Sequence, residues 1–176
     1  MKWSWNILRV AGIDIYVHIT FLLLIVWIGF VYWAQRGTIA GVIEGVGFVL
    51  ALFICVVLHE YGHALTARRY GINTRNIVLL PIGGVAMLEK MPDNPKHEML
   101  VAIAGPAVNF VIAGLLWLWL NITNQLPAAD EIDFANIPFL LRLLIINIFL
   151  AVFNLLPAFP MDGGRILRAA LALRMD

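Results

Sequence analysis

The stretch Val56-Val57-Leu58-His59-Glu60-Tyr61-Gly62-His63-Ala64 sets three ionisable side chains inside an apolar run of this 176-residue chain. Residues four apart lie on one face of a helix, so His59 and His63 can direct imidazole nitrogens at one metal ion, with Glu60 beside them. The preceding segment, 46–58, contains no charge. Ionisable side chains are costly in lipid unless they serve a site, which makes a solvent-facing amphipathic helix the weaker interpretation.

The pattern His-Glu-x-x-His is typical of zinc peptidases. In such sites the two histidines hold Zn²⁺, and the glutamate acts as general base towards the metal-bound water that attacks a peptide carbonyl. A catalytic zinc ion takes three protein ligands and keeps one open position. The sequence must therefore supply a third ligand from elsewhere.

Composition indicates a membrane protein. The chain is 62% hydrophobic and 13% charged with a mean hydropathy of +0.89, whereas soluble domains carry about 25% charged residues.

There is no basic patch with interleaved aromatic residues, so we expect no nucleic-acid partner. The single cysteine, Cys55, excludes an internal disulfide and is expected to be a small buried apolar residue. The long apolar segment after the N-terminus lacks a cleavage site, which favours an uncleaved first span.

Four segments are long and apolar enough for spanning helices, which need roughly 20 residues. They are 15–33, 42–67, 99–120 and 137–156, and the second carries the metal motif near its end. His18 lies near the start of the first span. A lone histidine near a membrane interface is more often a hydrogen-bonded structural residue than a ligand. The sequence thus predicts an all-α integral membrane protein with about four transmembrane helices.

The distribution of Lys and Arg predicts that both termini are cytoplasmic, because short cytoplasmic loops carry the excess of these residues. The outer side keeps only Arg36 and the span-edge Arg142, and the outer loop 121–136 is acidic. The inner segments hold Lys2, Arg9, Arg68, Arg69, Arg75, Lys90, Lys96, Arg165, Arg168 and Arg174. His63 precedes Arg68 by one to two turns, so at about 1.5 Å per residue the histidines lie on the order of 7 to 14 Å below the cytoplasmic interface. The site is predicted within the membrane, nearer the cytosol.

The third ligand is expected among the few carboxylates near the membrane. Glu89, Asp93 and Glu98 lie in the polar loop between the second and third spans and are interpreted as solvated charges. Asp162 follows a segment with two prolines, which forbid a continuous helix. Irregular backbone at membrane depth is tolerated where protein buries it or a water-filled cavity accepts its polar groups, so Asp162 is well placed to bind metal. It could also be the N-cap of a helix over 163–173, and the two roles are compatible.

Asn154 precedes Asp162 at the end of the fourth span. Its amide could cap the broken helix, or it could hydrogen-bond the oxyanion that forms when hydroxide attacks a carbonyl. The residues alone favour neither role.

Four segments give the chain a resemblance to the site-2 protease family of intramembrane zinc metalloproteases. They are His-Glu-Tyr-Gly-His at 59–63, Leu-Pro-Ile-Gly-Gly-Val at 80–85, Ala-Gly-Pro at 104–106 and Asn-Leu-Leu-Pro-Ala-Phe-Pro-Met-Asp-Gly-Gly-Arg at 154–165. Their order and spacing agree over nearly the whole chain. No stretch is long enough for a PDZ domain, so the chain is more similar to the bacterial and archaeal branch without one.

The resemblance implies the core of the site-2 protease fold and one Zn²⁺ per chain. It assigns His59, His63 and Asp162 to the metal, Glu60 to the catalytic base and Asn154 to transition-state assistance. Members of this branch usually have six spans, and many add CBS domains. The chain, a single domain over 1–176 with its catalytic segment at 154–165, is therefore expected to be C-terminally truncated relative to the family, and its oligomeric state is left open.

The loop 77–87 resembles a membrane-embedded β-hairpin of the family. Residues 77–80 read as a short strand and Gly83-Gly84 as a tight turn. The edge of such a strand could pair with an unwound substrate, which makes Gly83, Gly84 and Val85 candidate substrate-binding residues. The alternative is that the glycines only make the turn. Gly105 and Asn109, early in the third span, are interpreted as helix-packing residues.

We therefore expect a zinc metalloendopeptidase in the lipid bilayer of the cell that hydrolyses a peptide bond in or near the transmembrane segment of a membrane-anchored protein. A single-span transcription-factor or anti-sigma-factor precursor would fit. The alternatives are a catalytically silent membrane scaffold and a metal-handling membrane protein. A silent relative would often lack Glu60, and a transporter would need polar residues along a pathway through the outer halves of the spans.

Overall fold

The computed structural model describes residues 3–81, 83–90, 92, 94–127 and 137–175. In chain order the elements are β1 (Ser4–Val10), β2 (Ile13–His18), α1 (Ile19–Arg36), α2 (Ile39–Arg68), β3 (Thr74–Leu80), β4 (Gly83–Leu88), α3 (Pro95–Ile122), α4 (Phe139–Asn154) and α5 (Asp162–Met175). The predicted fold class is confirmed, with the addition of two strands at the N-terminus.

Three of these helices, α1, α2 and α3, are long and apolar enough to cross a membrane. Many of their large apolar side chains face outwards, as expected for helices that lie against lipid. The fourth helix, α4, has 16 residues and a length of about 24 Å, which is shorter than the ~30 Å hydrocarbon core. The chain is a multi-pass membrane protein.

The helix α3 occupies the centre of the bundle and packs against α2, α4 and α5. A close approach between α2 and α3 depends on Gly62, because a Cβ at this position would lie 2.6 Å from the carbonyl oxygen of Ala104. Small residues at helix interfaces allow such contacts in lipid. The approach sets the metal-motif residues of α2 directly against the first half of α3.

The four strands form one sheet in the order β1-β2-β3-β4. The outer pairs are antiparallel, and β2 runs parallel to β3, with α1 and α2 forming the crossover between them. One face of the sheet packs on α1 and α2 through Ile15, Ile77, Phe21 and Phe53. This packing fixes β3 and β4 beside the metal-motif half of α2, and they form the predicted hairpin.

The N-terminal strands were not predicted. The sequence places the start of the first span at residue 15, but α1 begins at Ile19, and residues 13–18 alternate between buried and half-buried side chains as an amphipathic strand does. Ala11 and Gly12 have positive φ values of 50° and 83°, the conformation of a tight hairpin turn. His18 caps α1, since its Nδ1 accepts from the amide of Thr20 at 3.3 Å.

The interpretation of Glu98 as a solvated charge is wrong. Glu98 is buried, and Arg168 of α5 donates to its Oε1 from two guanidinium nitrogens. The ion pair joins the N-terminal turn of α3 to α5. Because Glu98 and Arg168 are 70 residues apart in the sequence, the residues around Glu98 do not predict this ion pair.

The break after α4 turns the chain back onto α5. It contains a cis peptide bond between Phe159 and Pro160. A Cβ on Gly163 would lie 2.2 Å from the carbonyl oxygens of both Leu155 and Leu156, so glycine is required for this close return. The turn sets Asp162, the first residue of α5, against α2.

Candidate active site

Three potential metal ligands converge within the described ranges. The side chains of His59, His63 and Asp162 are buried, and their ligand atoms all lie within 4.8 Å of one another. The Nε2 atoms of the histidines are 3.1 Å apart, and the Oδ2 of Asp162 lies 3.2 Å from the first and 3.1 Å from the second. Tetrahedral ligands about 2.0–2.1 Å from zinc are about 3.3–3.4 Å apart, so these residues fit one such ion.

The other nitrogen of each imidazole has a fixed partner on α3. The Nδ1–H of His63 donates to the carbonyl oxygen of Val101 at 2.7 Å, and the Nδ1–H of His59 donates to the Oδ1 of Asn109 at 2.7 Å. A donating Nδ1 leaves Nε2 with its lone pair, as a metal ligand requires. Both histidines are therefore held in the tautomer that binds metal through Nε2.

Gly105 leaves room for both imidazoles. A Cβ on this residue would lie 2.2 Å from the Nε2 of His63 and 2.7 Å from that of His59. A side chain at this position would collide with both imidazoles. Gly105 thus has a role beyond the helix packing expected from the sequence.

Glu60 contacts the edge of the sheet. Its Oε2 accepts a hydrogen bond from the amide of Ala86 at 3.1 Å. A Cβ on Gly84 would lie 2.9 Å from the Cγ of Glu60 and 3.1 Å from the Cγ1 of Val56. Gly84 is therefore needed for the close passage of β4 over the glutamate, in addition to any role in the turn.

A cavity of about 300 Å³ opens beside these groups. Its lining residues are His59, Glu60, His63, Gly84, Val85, Ala86, Asn154, Pro160, Asp162 and Arg165. A second cavity of about 180 Å³ touches Gly83 and shares His59, Glu60, Gly84 and Asn154. The described part of the chain thus brings every sequence-predicted site residue to one place.

Asn154 ends α4 at the wall of both cavities. Its Nδ2 donates to the carbonyl oxygen of Leu150 at 2.9 Å, so the amide closes the last turn of its own helix. Both interpretations from the sequence are compatible with this position. The Asn154 side chain and Glu60 line the same two cavities.

The remaining candidates from the sequence lie elsewhere. Glu89 is exposed, with its Oε1 3.9 Å from the Nε of Arg75. Asp93 and the acidic residues of the outer loop, 130, 131 and 133, fall outside the described residues. Cys55 is buried as expected and accepts a hydrogen bond from Asn147.

Two buried asparagines were not among the site residues predicted from the sequence. Asn109 was interpreted only as a helix-packing residue, and Asn147 was not singled out. Both asparagines are fully buried in helices that the sequence interprets as spans. An uncharged polar side chain in an apolar run is a usable signal, because it must find a partner. The sequence does not reveal which partner it finds.

A helix that carries His-Glu-x-x-His, completed by a distant aspartate and set among helices long enough to cross a membrane, defines a membrane-embedded metallopeptidase fold. The chain belongs to peptidase family M50, whose sequence profile matches residues 47–136 and 126–175.

Relatives agree with this assignment. A zinc metalloprotease of Methanocaldococcus jannaschii is 44% identical over 179 residues, which cover 98% of this chain and 47% of the relative. A putative zinc metalloprotease of Synechocystis is 40% identical over 128 residues, or 72% of this chain and 32% of the relative. The solved site-2 protease from Methanocaldococcus jannaschii is 39% identical with a TM-score of 0.69, covering 97% of this chain and 72% of that one. The chain spans about half or less of the length of these two metalloproteases.

Proposed function

We propose that this chain is a zinc endopeptidase that hydrolyses a peptide bond in or near the transmembrane segment of a membrane-anchored protein. The observation that carries the proposal is the convergence of His59, His63 and Asp162 around one metal position with Glu60 in the same cavity. These side chains lie in the last third of a long apolar helix and at the start of α5. That placement favours a reaction within the membrane over one in bulk solvent.

His59, His63 and Asp162 would hold the ion in this proposal. Two imidazoles and one carboxylate are a donor set of catalytic zinc sites. When bound, Zn²⁺ supplies a Lewis acid that polarises the substrate carbonyl and lowers the pKa of a water molecule. The buried hydrogen bonds to Val101 and Asn109 keep both imidazoles in the required orientation.

Glu60 would act as general base and then general acid. Its carboxylate would accept a proton from the attacking water and pass it to the leaving amine. The hydrogen bond from Ala86 holds one oxygen, Oε2, against β4, and Glu60 also lines the cavity beside the potential metal ligands. Asn154, which lines the same cavity, would donate to the oxyanion.

The free edge of β4 would bind the substrate as an added strand. β4 is the last strand of the sheet, so it has no neighbour beyond it among the described residues. Gly83, Gly84 and Val85 would pair with an unwound substrate segment and present its carbonyl beside Glu60. An extended segment is required because a helix keeps its carbonyls hydrogen-bonded and wrapped by side chains.

We also propose that the site is reached from the cytosol. The basic residues Arg68 and Arg69 end α2 only one to two turns after His63, and basic residues predominate on that side of the spans. A single-span transcription-factor or anti-sigma-factor precursor, with its regulated domain in the cytosol, would suit this orientation.

The test is cleavage of single-span reporter proteins in liposomes by the parent chain and by Glu60→Gln, with the cut located by mass spectrometry. We expect a cut in or beside the span that is lost in the variant while its zinc content is unchanged. Glu89→Gln, which neutralises an exposed carboxylate outside the site, is the matched control and should cleave normally. Equal cleavage by Glu60→Gln would overturn the mechanism. Zinc-loaded parent protein that cuts none of several reporters would favour the scaffold alternative.

A further inference from the structure

A chain of hydrogen bonds leads away from His59 through the interior of the bundle. Its Nδ1–H donates to the Oδ1 of Asn109 at 2.7 Å, and the Nδ2 of Asn109 donates to the Oδ1 of Asn147 at 3.1 Å. The Nδ2 of Asn147 donates to the carbonyl oxygen of Leu143 at 2.8 Å and to the Sγ of Cys55 at 3.5 Å. The chain thus links α2, α3 and α4. We call it the asparagine relay.

The direction of the relay is fixed at its far end. A backbone carbonyl can only accept, so Leu143 requires the NH₂ group of Asn147 to face it. The carbonyl of the Asn147 amide then faces Asn109, which must present its own NH₂ group. The remaining oxygen of Asn109 faces His59 and requires a proton on Nδ1. Reversing either amide would set two acceptors against each other.

Burial makes this order costly to break. Asn109 and Asn147 are both 0% exposed, so each depends on protein partners for its hydrogen bonds. Buried polar groups without partners are strongly disfavoured, and the penalty is greatest in apolar surroundings. The relay has no second arrangement in which every described polar atom keeps its partner.

We propose that Asn109 and Asn147 are positioning residues that set the tautomer and ring orientation of the metal ligand His59. The carbonyl of Leu143 on α4 determines, through two amides, that Nε2 of an imidazole on α2 has its lone pair free for metal. His63 is held in the same tautomer by one direct hydrogen bond to the carbonyl of Val101. The inference rests on the metal site of the proposed function, although it does not depend on which substrate is cut.

The alternative is that the asparagines only join helices. Interhelical hydrogen bonds of Asn do stabilise membrane bundles. Under that alternative, replacing either asparagine would lower the thermal stability of the bundle, and metal affinity would change only as folding fails. Leucine has the same branching at Cγ as asparagine and suits an apolar interior, which makes Asn109→Leu and Asn147→Leu variants that separate the two roles.

The experiment measures zinc affinity by chelator competition and the d–d absorption spectrum of the Co²⁺-loaded protein, each on protein shown to be folded by its melting curve in detergent. We expect Asn109→Leu to weaken zinc binding by roughly 10–100-fold, the usual range when the partner of a metal-binding histidine is lost. Asn147→Leu, which touches neither ligand nor metal, should weaken it less. Both should alter the Co²⁺ spectrum. Leu144→Ala is the matched control, because it removes buried packing from α4 outside the relay. It should lower the melting temperature and leave zinc affinity unchanged.

Parent-like zinc affinity and Co²⁺ spectra in Asn109→Leu would overturn the inference. A normal Asn147→Leu beside an impaired Asn109→Leu would overturn the relay, since Asn109 would then act without it. Affinity losses that parallel the melting temperature in all three variants would show a packing role instead. Failure of the parent protein to bind zinc would count against the proposed function itself, which distinguishes that outcome from the others.

Discussion

The substitution Gly105→Ala tests the position of the metal directly. The added methyl group would lie 2.2 Å from the Nε2 of His63 and 2.7 Å from that of His59, closer than real Cβ contacts. Relief requires at least one imidazole to turn away and so to give up its Nδ1 hydrogen bond on α3. We therefore expect the loss of at least one of the three metal ligands.

The size of the effect follows from the ligand count. Structural zinc sites with four ligands bind with about 10–16 kcal/mol, or about 2.5–4 kcal/mol per ligand. At about 1.4 kcal/mol per factor of ten, loss of one ligand weakens zinc binding by roughly 10²–10³-fold. The metal-free fold should change much less, because a lost hydrogen bond of about 1–3 kcal/mol is partly offset by the ~0.5–1 kcal/mol that alanine gains over glycine in a helix.

The assay is zinc content by elemental mass spectrometry together with chelator competition and thermal unfolding. Gly114→Ala is the matched control, since Gly114 lies on the same helix and its new methyl group would meet no neighbouring atom of the described residues within 4 Å. It should gain the helix preference of alanine and keep its zinc. Gly105→Ala protein with one zinc ion bound at parental affinity would show that the metal does not lie between the two histidines beside α3.

Two further substitutions test the neighbouring contacts. In Gly84→Ala the new methyl group would press on Glu60. Since misplacement of a catalytic group by about 1 Å can cost 10²-fold, we expect reporter cleavage to fall roughly tenfold or more with zinc content unchanged. Gly47→Ala, in open space on α2, should cleave normally, and a fully active Gly84→Ala would refute the contact. Glu98→Gln removes the buried charge partner of Arg168 and a favourable acidic residue in the first turn of α3. The free energy of unfolding should therefore fall by about 1–2 kcal/mol in a denaturant titration. An unchanged midpoint would show that the ion pair contributes nothing to stability.

The convergence of His59, His63 and Asp162 could be predicted because the signals are local. His59 and His63 share a helix face by spacing alone, and Asp162 lies in a segment whose prolines and glycines cannot form a spanning helix. Glu98 shows the opposite case. Its loop composition suggests solvent, but its partner Arg168 is supplied by a helix whose position depends on the fold of the whole chain.

The strand β2 could not be predicted from hydropathy because it runs directly into the apolar helix α1. Its alternating residues, 13–18, run directly into the apolar helix α1, and the combined stretch satisfies the hydropathy of one span. The parallel pairing of β2 with β3 joins residues such as Ile15 and Ile77 across two helices. Such a pairing depends on tertiary packing, so neither segment alone predicts its partner strand.

The organisation of α3 explains how a helix that supplies none of the three proposed ligands contributes to the proposed metal site. Val101, Gly105 and Asn109 follow one another at intervals of four, so they share one face of α3. The first accepts from His63, the last accepts from His59, and the glycine between them leaves room for both imidazoles. The carbonyl of Val101 can reach His63 only because Gly62 lets α2 and α3 approach closely. Gly62 is the second variable residue of the His-Glu-x-x-His motif, so this position has a structural role. Metal binding in this fold therefore depends on helix separation as well as on ligand identity, and substitutions that widen the α2–α3 interface should reduce zinc affinity even when all three ligands are present.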